Sequence, residues 1–391
     1  MKQLKKKITN RLKLMAERAI PHNIQYQPNG VHPDAVSDTD VQYTQVYSNY
    51  HNPLKITDDL FDLLSDYDKP DYKSVDIDYY VAEIPNGRVF FGNVATVAII
   101  SQSNKLVGDM SFSYKNGDVV EAEENNIFQQ KYFNDPEEFD GTVFSLLTGG
   151  GGGKNYAHWL IDSLSRIHLL QKSGKFDEVD YFLVPSIRYD FQEDALKELG
   201  ITKDKIIEAD KISPHIKAKK LIASTAPRHK YVIIPEWVGE FYKENFLKPG
   251  NLTDFDAPNV YISRADSGIR NVLNEPELVE MLKEYGFKSF ELSKLNFKEK
   301  ISLFAKAKTV LSVHGAGLTN VMFCEKGTKF IELYPDVFVL TTYVDLATKA
   351  DLDYTYMICK SSAFADNGND AQKVHVTVDL PELKKILDTK L

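Results

Sequence analysis

Cysteine is nearly absent: Cys324 and Cys359 are the only two among 391 residues. Two thiols can build neither a disulfide scaffold nor a thiolate zinc site, which suits a reducing compartment, and both read as small buried hydrophobes. Long apolar runs are missing as well; no stretch approaches the roughly 18–20 consecutive apolar residues of a membrane span. Nor is there a basic excess. Forty-seven Lys and Arg against 56 Asp and Glu leave a net charge of −9, so nonspecific binding of nucleic acid is not expected. What is present is an ordinary globular balance of 43% hydrophobic and 26% charged residues, which excludes wholesale disorder and fibrous repeats. At roughly 100–200 residues per domain, the length suits two domains, or three at most.

The first 22 residues do not read as a signal peptide, because Lys5, Lys6, Lys7, Arg11, Lys13 and Arg18 run through the place of an apolar core. Leu4, Ile8, Leu12, Met15 and Ala19 share one helical face. A helix lying on anionic lipid through residues 1–20 and a docked surface helix both satisfy that pattern. From Asn23 to Ser74 the text is polar and aperiodic. Residues 75–140 are β-rich, with Asn86-Gly87 and Asn116-Gly117 as hairpin-type turns. After the glycine run Gly149–Gly153, residues 141–250 turn to α/β alternation, with strands at Val179–Val184 and Lys219–Ala223 and helices at Tyr156–Gln171 and Glu193–Leu199. Together residues 23–250 form the expected N-terminal domain, closed by the linker Pro249-Gly250-Asn251.

Residues 251–378 alternate most regularly. Strands are expected at Val260–Ser263, Phe287–Leu292, Thr309–Val313, Lys329–Leu333 and Tyr354–Cys359. Helices lie between them, with capping boxes at Asn274/Glu277 and Asn296/Glu299, and a terminal helix follows at 379–391. The pattern is that of a Rossmann-like parallel sheet, whose ligands sit beyond the carboxyl ends of the strands. Arg264 and Arg270 follow the first strand, His314-Gly315-Ala316-Gly317 the third, and Glu332 closes the fourth. Guanidinium forks and a glycine turn opening a helix suit a diphosphate, with His314 able to donate to a phosphate oxygen. Two surface arginines and a packing turn would read the same. Glu332 at a strand end needs a partner, either a ribose diol or a structural cation. The turn is not the dinucleotide fingerprint, since Asn320 stands where the third glycine would.

Asn155–Leu170 reads N-Y-A-H-W-L-I-D-S-L-S-R-I-H-L-L. On a helix His158, Asp162 and Arg166 share one face, opposite the stripe Leu160, Leu164 and Ile167. A carboxylate behind an imidazole makes a general base, although a surface ion pair is the commoner use of such a pair. The D-x-D pairs at Asp38, Asp66, Asp76 and Asp351 open no loop at the proposed site, and no metal is expected.

The ordered set N-Y-A-H-W-L-I-D at 155–162, I-S-R at 262–264, Arg270, Asn274-Glu275, H-G-A-G-L-T-N at 314–320 and I-E-L at 331–333 resembles glycosyltransferase family 61. The resemblance implies a GT-B-like architecture of two Rossmann-like domains facing across a cleft, here with a β-rich N-terminal extension. It further implies an inverting, metal-independent transferase with no cofactor, taking a nucleotide sugar, usually a UDP-sugar, as donor and a glycan as acceptor. The chain is similar to the bacterial members of capsule and surface-polysaccharide synthesis, which implies a cytoplasmic location, with peripheral contact at the inner membrane face. His158 and Asp162 then take the catalytic role, with either one as base. Asn155, Arg264, Arg270, His314, Gly315, Ala316, Gly317, Leu318, Thr319, Asn320 and Glu332 take the donor. Two other readings compete: a noncatalytic binder of nucleotide sugar or glycan on the same fold, and a nicotinamide-dependent oxidoreductase.

Overall fold

A computed structural model describes residues 23–66, 69–93, 96–115, 118–148, 153–228, 232–248, 250 and 252–391. The basic segment 1–22, the Asn116-Gly117 turn, Gly149–Gly152 of the glycine run, His229, Pro249 and Asn251 lie outside the described residues.

Runs of Val, Ile, Tyr and Phe, which fit a pleated and half-buried surface, assemble into two sheets. In the first, His215–Ser224, Glu137–Ser145, Tyr181–Val184 and Ile206–Glu208 lie side by side in that order, all parallel. The same sheet continues antiparallel through Ser74–Pro85, Gln42–Pro53, Arg88–Asn93 and Thr96–Ile100. The β-rich and α/β parts of the N-terminal half therefore share one sheet. Its hinge is His215–Ser224, which accepts parallel neighbours on one edge and antiparallel ones on the other.

Asn86-Gly87 is not a hairpin turn. Pro85 pairs with Lys220 and Arg88 with Lys217, so the chain carries on along the same neighbour across the Asn-Gly step. The ladder is kept by Asn86 N–H to the Lys219 carbonyl and Ala218 N–H to the Gly87 carbonyl, each at 3.0 Å. Asn86 at φ +51° makes this a local bulge, and a Cβ on Gly87 would stand 2.7 Å from that of Leu221.

The second sheet runs Phe287–Glu291, Asn259–Ser263, Thr309–Val313, Lys329–Pro335 and Asp353–Ser361, all parallel, with a short antiparallel edge at Val376–Thr377. Helices Glu275–Glu284, Phe297–Lys306 and Thr342–Lys349 connect the strands, and Leu380–Lys390 packs Leu383 and Leu387 into the same core. The Asn296/Glu299 capping box forms, each side chain accepting the other residue's backbone N–H at 2.9 Å. Asn274 does not cap its helix; its amide clasps Val378 by both main-chain groups, tying the edge strand down.

One core joins the two halves. Helix Glu236–Phe246 sends Tyr242 against Phe323 and Phe246 against Phe297, with ring centroids 5.9 and 5.5 Å apart. The carboxyl ends of both parallel sheets border the space described next, which is where such sheets leave their crevices.

Candidate functional site

The motif helix begins as read and then departs from a straight α-helix. Asn155 caps it, its Oδ1 accepting from Ala157 N–H at 2.9 Å and His158 N–H at 3.3 Å. Trp159–Leu164 then widens into a π-helix, with Ser165 N–H reaching back five residues to Leu160 O. Such widening is rare and concentrates at functional sites. Its effect here is to separate groups that an even step of four would have stacked. His158 Nδ1 still meets Asp162 Oδ2 at 2.7 Å, but Arg166 donates its Nε to the Asp162 main-chain oxygen at 2.9 Å and its Nη1 to Ser224 O at 2.8 Å. Asp162 and Arg166 are buried, and of the three only His158, with its side chain 31% exposed, reaches outward.

The cation that holds Asp162 is Arg228. Its Nε lies 2.7 Å from Oδ1 and its Nη2 2.6 Å from Oδ2, a two-pronged fork inside the protein. Burial alone would raise the Asp162 pKa; the Arg228 charge, with hydrogen bonds from His158 and Arg228, outweighs it and holds the carboxyl well below the usual range. A carboxylate so depressed and with both oxygens engaged is a poor proton acceptor. Because the folded value lies below the unfolded one, this pairing stabilises the fold at every pH above the ordinary carboxylate range. That contribution drains away as pH falls towards the folded value. Denaturant midpoints measured from pH 7 downwards should therefore fall below about pH 4, and an Asp162→Asn variant should lose part of that slope.

In the second half, the loop after Asn259–Ser263 folds Arg264 back on itself. Its Nε and Nη2 bond to Ile269 O at 3.3 and 3.1 Å, and Nη2 also reaches Ser267 Oγ at 3.0 Å. Nη1 is left against Gly315, where a Cβ would stand 1.7 Å from it. Any side chain at 315 would therefore have to push the end of Arg264 aside. Arg270, at φ +53°, donates Nε to His314 O at 2.9 Å and Nη1 to Gln372 O, and lies 4.9 Å over the Phe338 ring. Neither arginine therefore presents the free two-pronged fork expected of it. Arg264 has one end to offer, and Arg270 chiefly fixes the glycine turn while adding charge.

His314 and Glu332 depart further from expectation. His314 Nδ1 lies 2.6 Å from Glu332 Oε1, and the other carboxylate oxygen accepts from Tyr334 and Tyr354 at 2.8 and 2.9 Å. Glu332 is fully buried in this knot, so it is not placed to hold a ribose. Burial lowers the His314 pKa despite Glu332. A neutral ring whose Nδ1–H goes to Glu332 leaves only an acceptor at Nε2, so His314 is not a phosphate donor. Past the turn, Ala316–Phe323 is a 3₁₀-helix rather than an α-helix. Its Thr319 is buried and bonds to Ala316 O, away from the opening.

A cavity of about 980 Å³ lies between the halves, walled by Asn155, Arg264, Arg270, Gly315, Ala316, Gly317, Leu318 and Asn320 among others. His158, Asp162, His314, Thr319 and Glu332 are not on that wall. His158 stands just behind it, since Asn155 and Tyr156 of the same helix are on it and Tyr156 donates its hydroxyl to Asn320 Oδ1 at 2.7 Å. The wall carries six cations, Lys154, Arg188, Arg264, Arg270, Lys294 and Lys300, against two carboxylates, Asp190 and Asp266. In a chain of net charge −9 that is a local inversion of sign, and it focuses anions into the cleft.

Lys300 and Arg228 escape the sequence motifs. Lys300, one turn into the helix capped by Asn296, lies 5.5 Å over Tyr156 and 5.7 Å over Phe191, and burial lowers its pKa. No ion pair to it is formed among the described residues. Arg228 could have been found by the strand-end rule, since it follows Ser224, the last residue of a parallel strand. Among the described residues, no three His, Cys, Asp or Glu side chains gather as a metal site requires. Residues 156–331 match the family model described as Glycosyltransferase 61, and no curated protein matches the chain.

Proposed function

With residues 156–331 belonging to glycosyltransferase family 61, we propose that the chain is an inverting transferase moving a sugar from a nucleoside diphosphate, a UDP-sugar by resemblance, to a glycan hydroxyl. The observation that carries this reading is the single cavity that collects Arg264, Arg270, the Gly315–Gly317 turn and Lys300 on one wall of strongly positive balance. The diphosphate lies there. Its departing negative charge is met by Arg264 Nη1, Lys300 and the main-chain N–H groups opening the 3₁₀-helix, a set of fixed donors that needs no rearrangement during the reaction. Protein cations take the part that a metal plays in other transferases.

His158 is the base. Asp162 holds its Nδ1–H, so Nε2 carries the free lone pair and accepts the proton of the attacking hydroxyl, while the adjacent carboxylate stabilises the imidazolium formed. Asp162, itself held by Arg228, positions this ring directly and takes no proton itself. Attack from the side opposite the diphosphate gives inversion, and closing the space between the halves excludes water that would hydrolyse the donor. The resemblance to capsule and surface-polysaccharide members supports a role in surface-glycan assembly.

Screening UDP-, GDP- and CMP-sugars for slow nucleotide release tests the reading. Release from a UDP-sugar supports it, and no release or binding of any of the three contradicts it. Gly315→Ala probes the cradle. The new methyl meets the far end of a flexible side chain, so the fold should persist while Arg264 is pushed aside. UDP affinity should fall about tenfold, the worth of one charge-assisted hydrogen bond, and titration calorimetry would read it.

A further inference from the structure

Two elements carry the proposed chemistry, and one side chain spans them. The motif helix that opens at Tyr156 holds His158, and the 3₁₀-helix Ala316–Phe323 continues from the glycine turn of the cradle. They come from opposite halves of the chain and meet at two points. At the far end Phe323 packs edge-on against Tyr242, with ring centroids 5.9 Å apart, and Tyr242 donates its hydroxyl to Leu160 O at 2.6 Å. Those three residues are buried and off the cavity wall. At the near end Tyr156 donates its hydroxyl to Asn320 Oδ1 at 2.7 Å, and both residues are on the wall.

The near bond has a fixed direction. Asn320 Nδ2 donates to Gly317 O at 2.8 Å, so its Oδ1 faces the phenol and can only accept. Because Asn320 is fully buried, losing the phenolic hydroxyl would strand that oxygen, which a buried acceptor rarely tolerates. The face of the same ring lies under Lys300, whose Nζ stands 5.5 Å from its centroid, and Phe191 braces it edge-on at 4.8 Å. Tyr156 thus holds the brace of the glycine turn through its hydroxyl and seats a cavity cation through its ring. Its own backbone opens the base helix, two residues before His158 and directly after the cap at Asn155.

We propose that Tyr156 is a positioning residue whose hydroxyl sets the separation of His158 from the donor cradle, and with it the in-line geometry of transfer. The inference rests on the transferase reading and adds to it a residue that works through the base and the turn and exchanges no proton. Attack opposite a departing diphosphate needs the hydroxyl, the anomeric carbon and the leaving group in one line with the base behind, and a misplacement of about 1 Å can cost on the order of 100-fold in rate. The path from Gly317 to the His158 ring runs through the Asn320 amide, the phenol and one turn of helix. Removing a single oxygen breaks it.

The test uses the full chain with whichever UDP-sugar it hydrolyses, water standing in for the acceptor hydroxyl and losing its proton to the same imidazole. Tyr156→Phe removes the hydroxyl and keeps the ring under Lys300. Its kcat for UDP release should fall at least about tenfold, while UDP affinity by calorimetry stays within about threefold of wild type. A purely structural hydroxyl would instead lower the thermal midpoint and leave the kcat of the folded protein alone. The acid limb of the pH–rate profile should not move, because His158 and Asp162 keep their bond. Asn320→Ala breaks the same link from the other side, so the double variant should turn over within about threefold of the slower single variant. Turnover of Tyr156→Phe within about threefold of wild type, a displaced acid limb, or single losses that multiply in the double variant would overturn the proposal. Wild type that releases nucleotide from no sugar donor would sink the transferase reading, and this inference with it.

Discussion

Replacing His158 by alanine should lower kcat by about 10²- to 10⁴-fold, the usual worth of a positioned general base, while leaving UDP affinity within about twofold. The split follows from placement. His158 is off the wall of the cation-lined cavity, so the donor loses no contact, yet it is the group whose second ring nitrogen is left free by the bond to Asp162. His158→Ala is cleaner than Asp162→Asn. An amide at 162 disturbs Arg228 as well as the imidazole, because both prongs of that guanidinium end on the carboxylate. Steady-state rates and calorimetry on the same preparation would check both halves. Turnover within tenfold of wild type would remove His158 from the mechanism.

Arg228→Met should destabilise the fold by about 3–5 kcal/mol, since it strands a buried carboxylate without its cation. The Arg228 and Asp162 side chains are only 6% and 1% exposed, so water cannot take the lost partner's place. Without Arg228 only His158 opposes the effect of burial on Asp162 and its pKa rises, which weakens its hold on the imidazole. Activity should therefore fall even where the variant is folded. Adding Asp162→Leu should recover much of the stability and none of the activity, because an apolar pair of similar volume often replaces a buried ion pair without loss. Urea titration of the single and double variants measures this. A single-variant loss under about 1 kcal/mol would mean that Arg228 is not the brace described.

The C-terminal sheet was readable because its central strands, Asn259–Ser263, Thr309–Val313 and Lys329–Pro335, are buried and largely apolar and the helix after Asn296 carries a capping box, two signals that local chemistry alone dictates. Asn296 and Glu299 cap as expected for that reason, and Gly286, at φ +71°, ends its helix. Asn86-Gly87 and Asn274 misled because their neighbours are remote in sequence: a continuing ladder to Lys217–Lys220 in one case and Val378 in the other. The site divides the same way. The glycine turn and Arg264 came from strand-end position and share the cavity. His314 and Glu332 came by the same rule and were lost to Tyr334 and Tyr354, whose hydroxyls complete a buried knot that no linear pattern announces. The π-helical step at Trp159–Leu164 leaves no periodic trace either, and it interrupts the even helix on which His158, Asp162 and Arg166 were expected to share one face.

Whether protein cations and the Gly315 turn form a diphosphate cradle is read most simply by calorimetric titration of UDP, with EDTA present, into wild type and Arg264→Ala. UDP should bind wild type saturably without metal and the variant at least about tenfold more weakly, and NAD should give no heat. Equal affinity in the two proteins, or a preference for NAD, would contradict it.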